Sequence, residues 1–260
     1  MQAIILAAGL GTRLRPLTYA IPKALIPVLN RPLLGVLLAQ LREAGAHRVA
    51  VNTHHLAGRV EGFLQDNRPR GLEVLVRHEP EILGTGGGLR SLGQALEDQP
   101  FLAVNADMAY TGVQVVSPRM LSWLPAEGPA DLVAAWRHIL AQGEFLAARV
   151  VSGHFWQDLG TPEAYLTAHQ KLLSGACPGL AGFFPRMADP LVGEGTRLEE
   201  GVSLAGGVCL GRDVRVGQGT WLKNTVVWDG ARIGPGLTLE NCVVGQGGRV
   251  TVSARDEVIV

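Results

Sequence analysis

The chain has 260 residues, enough for one large domain or two smaller ones with a substantial core. Lys and Arg total 23 and so do Asp and Glu, so no basic field invites nucleic acid and no acidic tail argues for disorder. Any anion bound here must be held by local geometry. In chain order, near-continuous apolar runs of the kind buried on both faces of a sheet fall at Ala3–Ala7, Arg48–Asn52, Leu72–Val76 and Phe101–Val104. The first follows Met1-Gln2 directly, lacks a basic n-region and is far too short for a membrane span, so it reads as a buried strand with no leader and no membrane anchor. Amphipathic stretches fill the intervals. Pro32–Ala46 carries Leu33, Leu34, Leu37, Leu38 and Leu41 on one face with Asn30 as a candidate cap, and Leu56–Gln65 and Gly88–Leu96 follow. Strand and helix in alternation predict an α/β domain with a doubly wound, mostly parallel sheet over 1–174, and a ligand crevice at the carboxyl ends of its strands.

One interval breaks the rhythm. The run ending at Val104 and the run Val113–Val116 are separated by only a few residues, and Asp107 stands between them. A parallel return needs roughly a dozen residues, so this join is either a tight hairpin or a place where chain is missing.

From Leu191 the period changes to six. Val192, Leu198, Leu204, Leu210, Val216 and Leu222 form one register, while Thr196, Val202, Val208, Val214, Thr220 and Val226 form a second. Two registers in phase predict a parallel β-helix over 191–260, whose corners account for the excess of glycine in the chain. The register slips near Val227-Trp228 and resumes at Ile233 and Leu239, giving roughly three coils if each takes three hexads. Residues 175–190 read as a linker. Cys177, Cys209 and Cys242 are odd in number and widely spaced, which predicts a reduced, cytoplasmic protein without disulfides or a zinc site.

Chemistry first shows after the opening strand, in Leu6-Ala7-Ala8-Gly9-Leu10-Gly11-Thr12-Arg13-Leu14-Arg15-Pro16-Leu17-Thr18. Glycines there let backbone N–H groups converge on an anion that Arg13 can clamp. A dinucleotide fingerprint would need Gly or Ala where Leu14 stands, and a Walker loop would need Gly-Lys-Ser/Thr at Leu14-Arg15-Pro16. Neither is present. The pattern G-x-G-T-R-L-x-P-x-T with Pro22-Lys23-Ala24-Leu25-Ile26-Pro27-Val28 instead resembles the sugar-1-phosphate nucleotidylyltransferases. So do Leu83-Gly84-Thr85-Gly86-Gly87-Gly88, Asn105-Ala106-Asp107 and Trp156-Gln157-Asp158-Leu159-Gly160-Thr161-Pro162-Glu163. A hexad β-helix behind such a domain is similar to the mannose-1-phosphate guanylyltransferase, ADP-glucose pyrophosphorylase and bifunctional N-acetylglucosamine-1-phosphate uridylyltransferase branches. The triple glycine is similar to the N-acetylmuramate-1-phosphate uridylyltransferases.

The resemblance implies a Rossmann-like catalytic domain, a left-handed β-helix, and Mg²⁺-dependent joining of a nucleoside triphosphate to a sugar 1-phosphate. GTP with mannose 1-phosphate is slightly preferred over UTP or dTTP with other hexose 1-phosphates. It implies nucleotide contacts from Leu6, Ala8, Gly9, Gly11, Thr12, Arg13, Gly84, Thr85, Gly86 and Asn105. Arg13 and Lys23 would act on the phosphates, and Asp107 and Asp158 would hold the metal. Asp158 has a competing use as a cap ahead of the helix that Thr161-Pro162 opens. His54-His55 reads as one surface and one crevice residue, and Trp136, Phe145 and Trp156 as packing.

The family's further strands and V-x-E-K-P-like sugar-gripping element, expected after Asp107, are not found; Ala109 passes straight to Tyr110. Two explanations stand, a true deletion or chain left out of the numbering. The different-class alternative is a non-catalytic nucleotide-sugar-binding regulatory subunit. An added acyltransferase activity would use a histidine base, and residues 191–260 contain none. The β-helix is expected instead to join copies into a homo-oligomer, with Trp221 and Trp228 at the contact.

Overall fold

A computed structural model describes residues 1–106, 113–150, 152, 157–184 and 187–260. The backbone divides into two compact units that exchange the chain several times: Met1–Leu10, Pro22–Leu25 and Leu37–Trp156 form the first, and Gly11–Ile21, Ile26–Val36 and Gln157–Val260 the second.

In the first unit, the run Gln2–Leu6 (β1) is apolar without alternation and is paired on both sides. Ile4 and Ile5 are fully buried. Parallel partners are Arg48–Thr53 (β4) on one side and Phe101–Asn105 (β6) on the other, with Ile5 opposite both Val51 and Val104. Glu73–His78 (β5) extends the sheet beyond β4, and Gln114–Val116 (β7) closes the other edge. The order is therefore β5-β4-β1-β6-β7. Only β7 runs antiparallel, with Phe101 opposite Val116, which is the geometry a short join allows. The seam after Ala109 and Asp107 itself lie outside the described residues.

Helices cover the sheet. Leu33–Glu43 (α2), Ala57–Asp66 (α3) and Gly84–Gly93 (α4) follow the predicted alternation, and Pro118–Leu121 (α5) and Leu132–Ala141 (α6) add two helices that it did not include. Leu89 and Leu92 of α4 pack with Ile4, Ala50, Phe101 and Leu132 in one core. Helix α4 starts four residues earlier than its apolar periodicity suggests, because the glycines themselves are helical.

The second unit is built on short parallel strands in three sheets of four, five and four strands, the arrangement of a left-handed parallel β-helix. Leu204, Leu222 and Leu239 stack in one column, Leu198, Val216, Ile233 and Val250 in another, and Val192, Leu210, Val227, Val244 and Ile259 in the third. Five rungs in that last column make about four coils, not three. The slip after Leu222 has a local cause. The first coil turns its corner on Gly206 and Gly207, both at positive φ, while later coils use a single left-handed residue, Asn224, Asn241 or Asp256. Each such corner is one residue shorter. The three side chains bond along the axis, Asn224 Nδ2 to Asn241 Oδ1 at 3.2 Å and Asn241 Nδ2 to Asp256 Oδ1 at 2.8 Å.

The single turn Leu17–Ala20 (α1), Pro162–Leu173 (α7) and the two-residue strands Pro27–Val28 (β2) and Arg31–Pro32 (β3) belong to this unit. Asn30 does not cap α2. With Leu29 it occupies a hairpin turn in which both have positive φ, and its amide group donates to Leu210 O at 2.7 Å. Trp228 is likewise not a surface residue: it is 5% exposed and its Nε1 donates to the Tyr165 hydroxyl at 3.0 Å. Trp136 packs on the core as expected, but Phe145, beyond the end of α6 in a stretch with no regular structure, is 86% exposed, and Trp156 lies outside the described residues. Cys177, Cys209 and Cys242 are buried and unpaired. Residues 175–190 contain a 3-10 turn, Pro178–Phe183, and Asp189, whose carboxylate accepts from Gly207 N and Val208 N. No helix among the described residues is long and apolar enough to cross a membrane.

Two stability outcomes follow from this unit. Leu222 is fully buried between Leu204 and Leu239, so Leu222→Ala should lower stability by about 2–5 kcal/mol in chemical denaturation. His169, also fully buried, accepts from Leu29 N at 3.2 Å through Nε2 while Nδ1 donates to Tyr165 O at 2.9 Å. That neutral tautomer cannot gain a proton without losing the Leu29 bond, and burial pushes its pKa down to about 4. The unfolded chain binds the proton near pH 6.5, so the stabilisation is complete above that pH and is lost as pH falls toward 4, by at most about 1.4 kcal/mol per pH unit. The denaturation midpoint should drop between pH 7 and pH 5, and drop less in His169→Gln.

Candidate active site

In the first unit a pocket opens where β1, β4, β5 and β6 end. It lies at the point where the chain, having run outward from β1 through β4 to β5, returns to the opposite side of β1. Its floor is the backbone of Ala7, Ala8 and Gly9, following β1, with Leu6 below them. Asn105 and Ala106 form one side, and Ala106 N donates to Leu6 O at 3.1 Å, carrying the ladder past the end of β6. Lys23 and Ala24 enter from the 3-10 turn Lys23–Leu25. The remaining wall is Ile82, Gly84 and Thr85 at the start of α4, with Asn52 and Glu79 behind it.

The glycines of α4 allow a close approach that side chains would block. A Cβ on Gly84 would sit 2.8 Å from Ala130 O, and one on Gly88 would sit 2.8 Å from Asn52 Nδ2. Gly86 and Gly87 donate their amides to Ala130 O, at 2.8 and 3.3 Å, and Thr85 Oγ1 accepts from Leu132 N at 3.2 Å. Gly86 is therefore a packing position against the 130–132 segment, while Gly84 and Thr85 face the pocket.

In the second unit, Gly11 has φ of 63° and accepts through its carbonyl from the Thr18 hydroxyl at 2.9 Å, which shapes the turn Thr12–Leu14. Arg13 reaches Asp158, Nη1 to Oδ2 at 3.4 Å, and its guanidinium lies over Gly160, where a Cβ would stand 2.6 Å from Nη2. The two motif segments thus touch, though 145 residues apart. Asp158 caps nothing: Thr161 Oγ1 accepts from Ala164 N and Pro162 opens α7.

Of the residues singled out in the sequence, Leu6, Ala8, Gly9, Lys23, Gly84, Thr85 and Asn105 line the pocket of the first unit. Gly11, Thr12, Arg13 and Asp158 belong to the second unit, and Asp107 lies outside the described residues. Asn52, Glu79 and Ile82 were not foreseen. A signal for Asn52 exists, since it is the polar residue that interrupts Val49-Ala50-Val51 at the carboxyl end of a strand. His54 bonds through Nδ1 to Glu79 O at 2.8 Å, and no group of three or more His, Cys, Asp or Glu suited to a metal occurs among the described residues.

The sequence pattern of the nucleotidyl transferase family matches residues 2–117. The chain is 27% identical to a mannose-1-phosphate guanylyltransferase of Mycobacterium tuberculosis over 88% of its own length and 80% of that protein. It is 40% identical to an N-acetylmuramate alpha-1-phosphate uridylyltransferase of Neisseria meningitidis over 42% of its length and 47% of that protein. The first match extends over 289 positions although it takes in about 229 residues here, so about 60 positions of that relative have no counterpart. A UDP-glucose pyrophosphorylase from Acinetobacter baumannii shares the fold, with a TM-score of 0.56, 16% identity and coverage of 66% of this chain and 93% of that one. The pocket at the strand ends and the glycine and lysine motifs around it all lie within residues 2–117, the stretch that matches the nucleotidyl transferase family.

Proposed function

We propose that the protein joins a nucleoside triphosphate to a sugar 1-phosphate, releasing pyrophosphate. The observation that carries this reading is the pocket formed by Ala7–Gly9, Lys23 and Gly84–Thr85 at the carboxyl ends of four parallel strands. A phosphate oxygen of the sugar phosphate attacks the α-phosphorus, and the bond from that phosphorus to the β-bridging oxygen breaks, so the electron pair leaves with pyrophosphate. The attacking oxygen is already anionic near neutral pH, so the protein need not supply a base. Positioning and charge neutralisation suffice.

In this reading the backbone amides after β1 hold the phosphates and Lys23 offsets the charge that builds at the reacting phosphorus. Arg13, which contacts Asp158 within its own unit, would be a second phosphate ligand, as the resemblance implies. Asp107 and Asp158 would hold Mg²⁺. Asp158 suits that role, being a one-third exposed carboxylate whose Arg13 contact is long at 3.4 Å, and hard divalent cations take one or two carboxylates with phosphate oxygens. The metal would neutralise phosphate charge. GTP and mannose 1-phosphate are the preferred pair, supported by the guanylyltransferase match over most of the chain. Three buried unpaired thiols support a cytoplasmic setting. Homo-oligomerisation through the β-helix remains part of the reading, with Trp221 as the partly exposed aromatic.

A second reading, a nucleotide-sugar-binding regulatory subunit, is favoured by the roughly 60 unmatched positions, which we place after Asp107, where the sugar-gripping element is expected. Pyrophosphate release from a panel of GTP, UTP and dTTP with hexose 1-phosphates separates the two. Turnover should be highest with GTP and mannose 1-phosphate, and Lys23→Ala should lower kcat/KM by roughly 10²–10³-fold while the fold is kept. No turnover with any pair, alongside tight binding of a nucleotide sugar, would replace the enzyme reading with the regulatory one.

A further inference from the structure

Behind the pocket wall lies a chain of hydrogen bonds between groups that the proposed chemistry does not use. Ala7 N donates to Asn52 Oδ1 at 2.6 Å, Asn52 Nδ2 donates to Glu79 Oε1 at 2.7 Å, and Leu83 N donates to Glu79 Oε2 at 3.2 Å. Asn52 and Glu79 are 3% and 2% exposed. Asn52 sits near the end of β4 and Glu79 follows β5, where Glu79 N donates to Thr53 O at 2.8 Å. The relay therefore crosses the ends of β1, β4 and β5 and terminates at the N-cap of α4.

We infer that Asn52 and Glu79 form a positioning pair that sets two walls of the nucleotide pocket together, the Ala7–Gly9 loop and the Leu83–Thr85 turn. The inference rests on the nucleotidyl-transfer reading. Only a carbonyl oxygen can face the Ala7 N–H, so the amide orientation of Asn52 is fixed and its NH₂ must turn to Glu79. Both oxygens of Glu79 are then occupied by protein N–H groups, which directs its charge inward in a pocket meant for a polyanion. A buried carboxylate left without donors there would be costly and would repel phosphate. Gly88 completes the arrangement, since its missing side chain leaves the space into which the Asn52 amide fits.

The relay has a polarity that can be inverted. Glu79→Gln alone must oppose two N–H groups somewhere along it, and Asn52→Asp alone opposes two carboxylates. The double variant Asn52→Asp/Glu79→Gln restores every bond, with Ala7 N and Gln Nε2 donating to the new carboxylate and Leu83 N donating to the Gln carbonyl. Each single variant should weaken GTP binding, measured by calorimetry, and raise KM for the triphosphate by on the order of tenfold, with a smaller change in kcat. The double variant should recover most of both, and its thermal midpoint should lie above those of the single variants that fold. Should a single variant fail to fold, the double variant compared with wild type carries the test alone, and near-wild-type KM is the expected result. Unchanged triphosphate KM in the single variants, or a double variant as impaired as they are, would overturn the pairing. Wild-type protein that binds no nucleoside triphosphate would instead overturn the nucleotidyl-transfer reading and the inference with it.

Discussion

The double-sided parallel pairing of β1 is the constraint on which the pocket at the strand ends depends. A strand hydrogen-bonded along both edges offers a ligand no backbone until it ends, and just past Leu6 the Ala7 N–H is taken up by Asn52, so the backbone that can meet a ligand begins beyond it. Because β4 and β6 flank β1 on opposite sides, the order of the chain reverses there and a crevice is left over the end of β1 itself. Fully buried Ile4 and Ile5 hold that end in place, and the small residues Ala7, Ala8 and Gly9 keep it open. Specific side chains are added from the ends of the neighbouring strands.

The β-helix works by a different economy. Each strand is two or three residues long and could not persist alone, so stability comes from stacking identical columns, one rung on the next. Columns demand an exact residue count only along the straight faces; the corners can vary if a residue accepts positive φ. Glycine does this without cost, whereas Asn and Asp do it at some strain that their side chains offset by bonding to the same position one coil away. The change from a Gly-Gly corner to an Asn corner is thus a change of coil length with no change of core.

Features that depend on long runs of residues were legible in the sequence. The four buried strands, the helices between them and the hexad period all follow from apolar spacing, which averages over many side chains, whereas the short join before β7 left both a hairpin and missing chain open. Features that hang on one residue's environment were not. Asn30 has the composition of a cap but the backbone of a hairpin turn, because Pro27–Pro32 is too short to register as a pair of strands. Trp228 looked like an exposed aromatic in a slipped register; the slip was a shorter corner, and the indole finds its partner in Tyr165 of α7, 63 residues earlier. Phe145 looked like core and is exposed, since no element positions it. Asn52 and Glu79 are invisible to periodicity because each is a single polar residue at a strand end, and only the fold brings them within 2.7 Å.

The segment Gly9-Leu10-Gly11-Thr12-Arg13 is continuous in sequence, yet Gly9 belongs to the unit of the sheet while Gly11 to Arg13 belong to the other unit. The backbone donors after β1 are fixed by strand pairing, which is rigid and indifferent to side chains. Arg13 is fixed by a half-exposed ion pair and by the absence of a side chain at Gly160, both weak constraints on a long, flexible group. Strand pairing therefore places the backbone after β1 more exactly than one partly exposed ion pair places the Arg13 guanidinium.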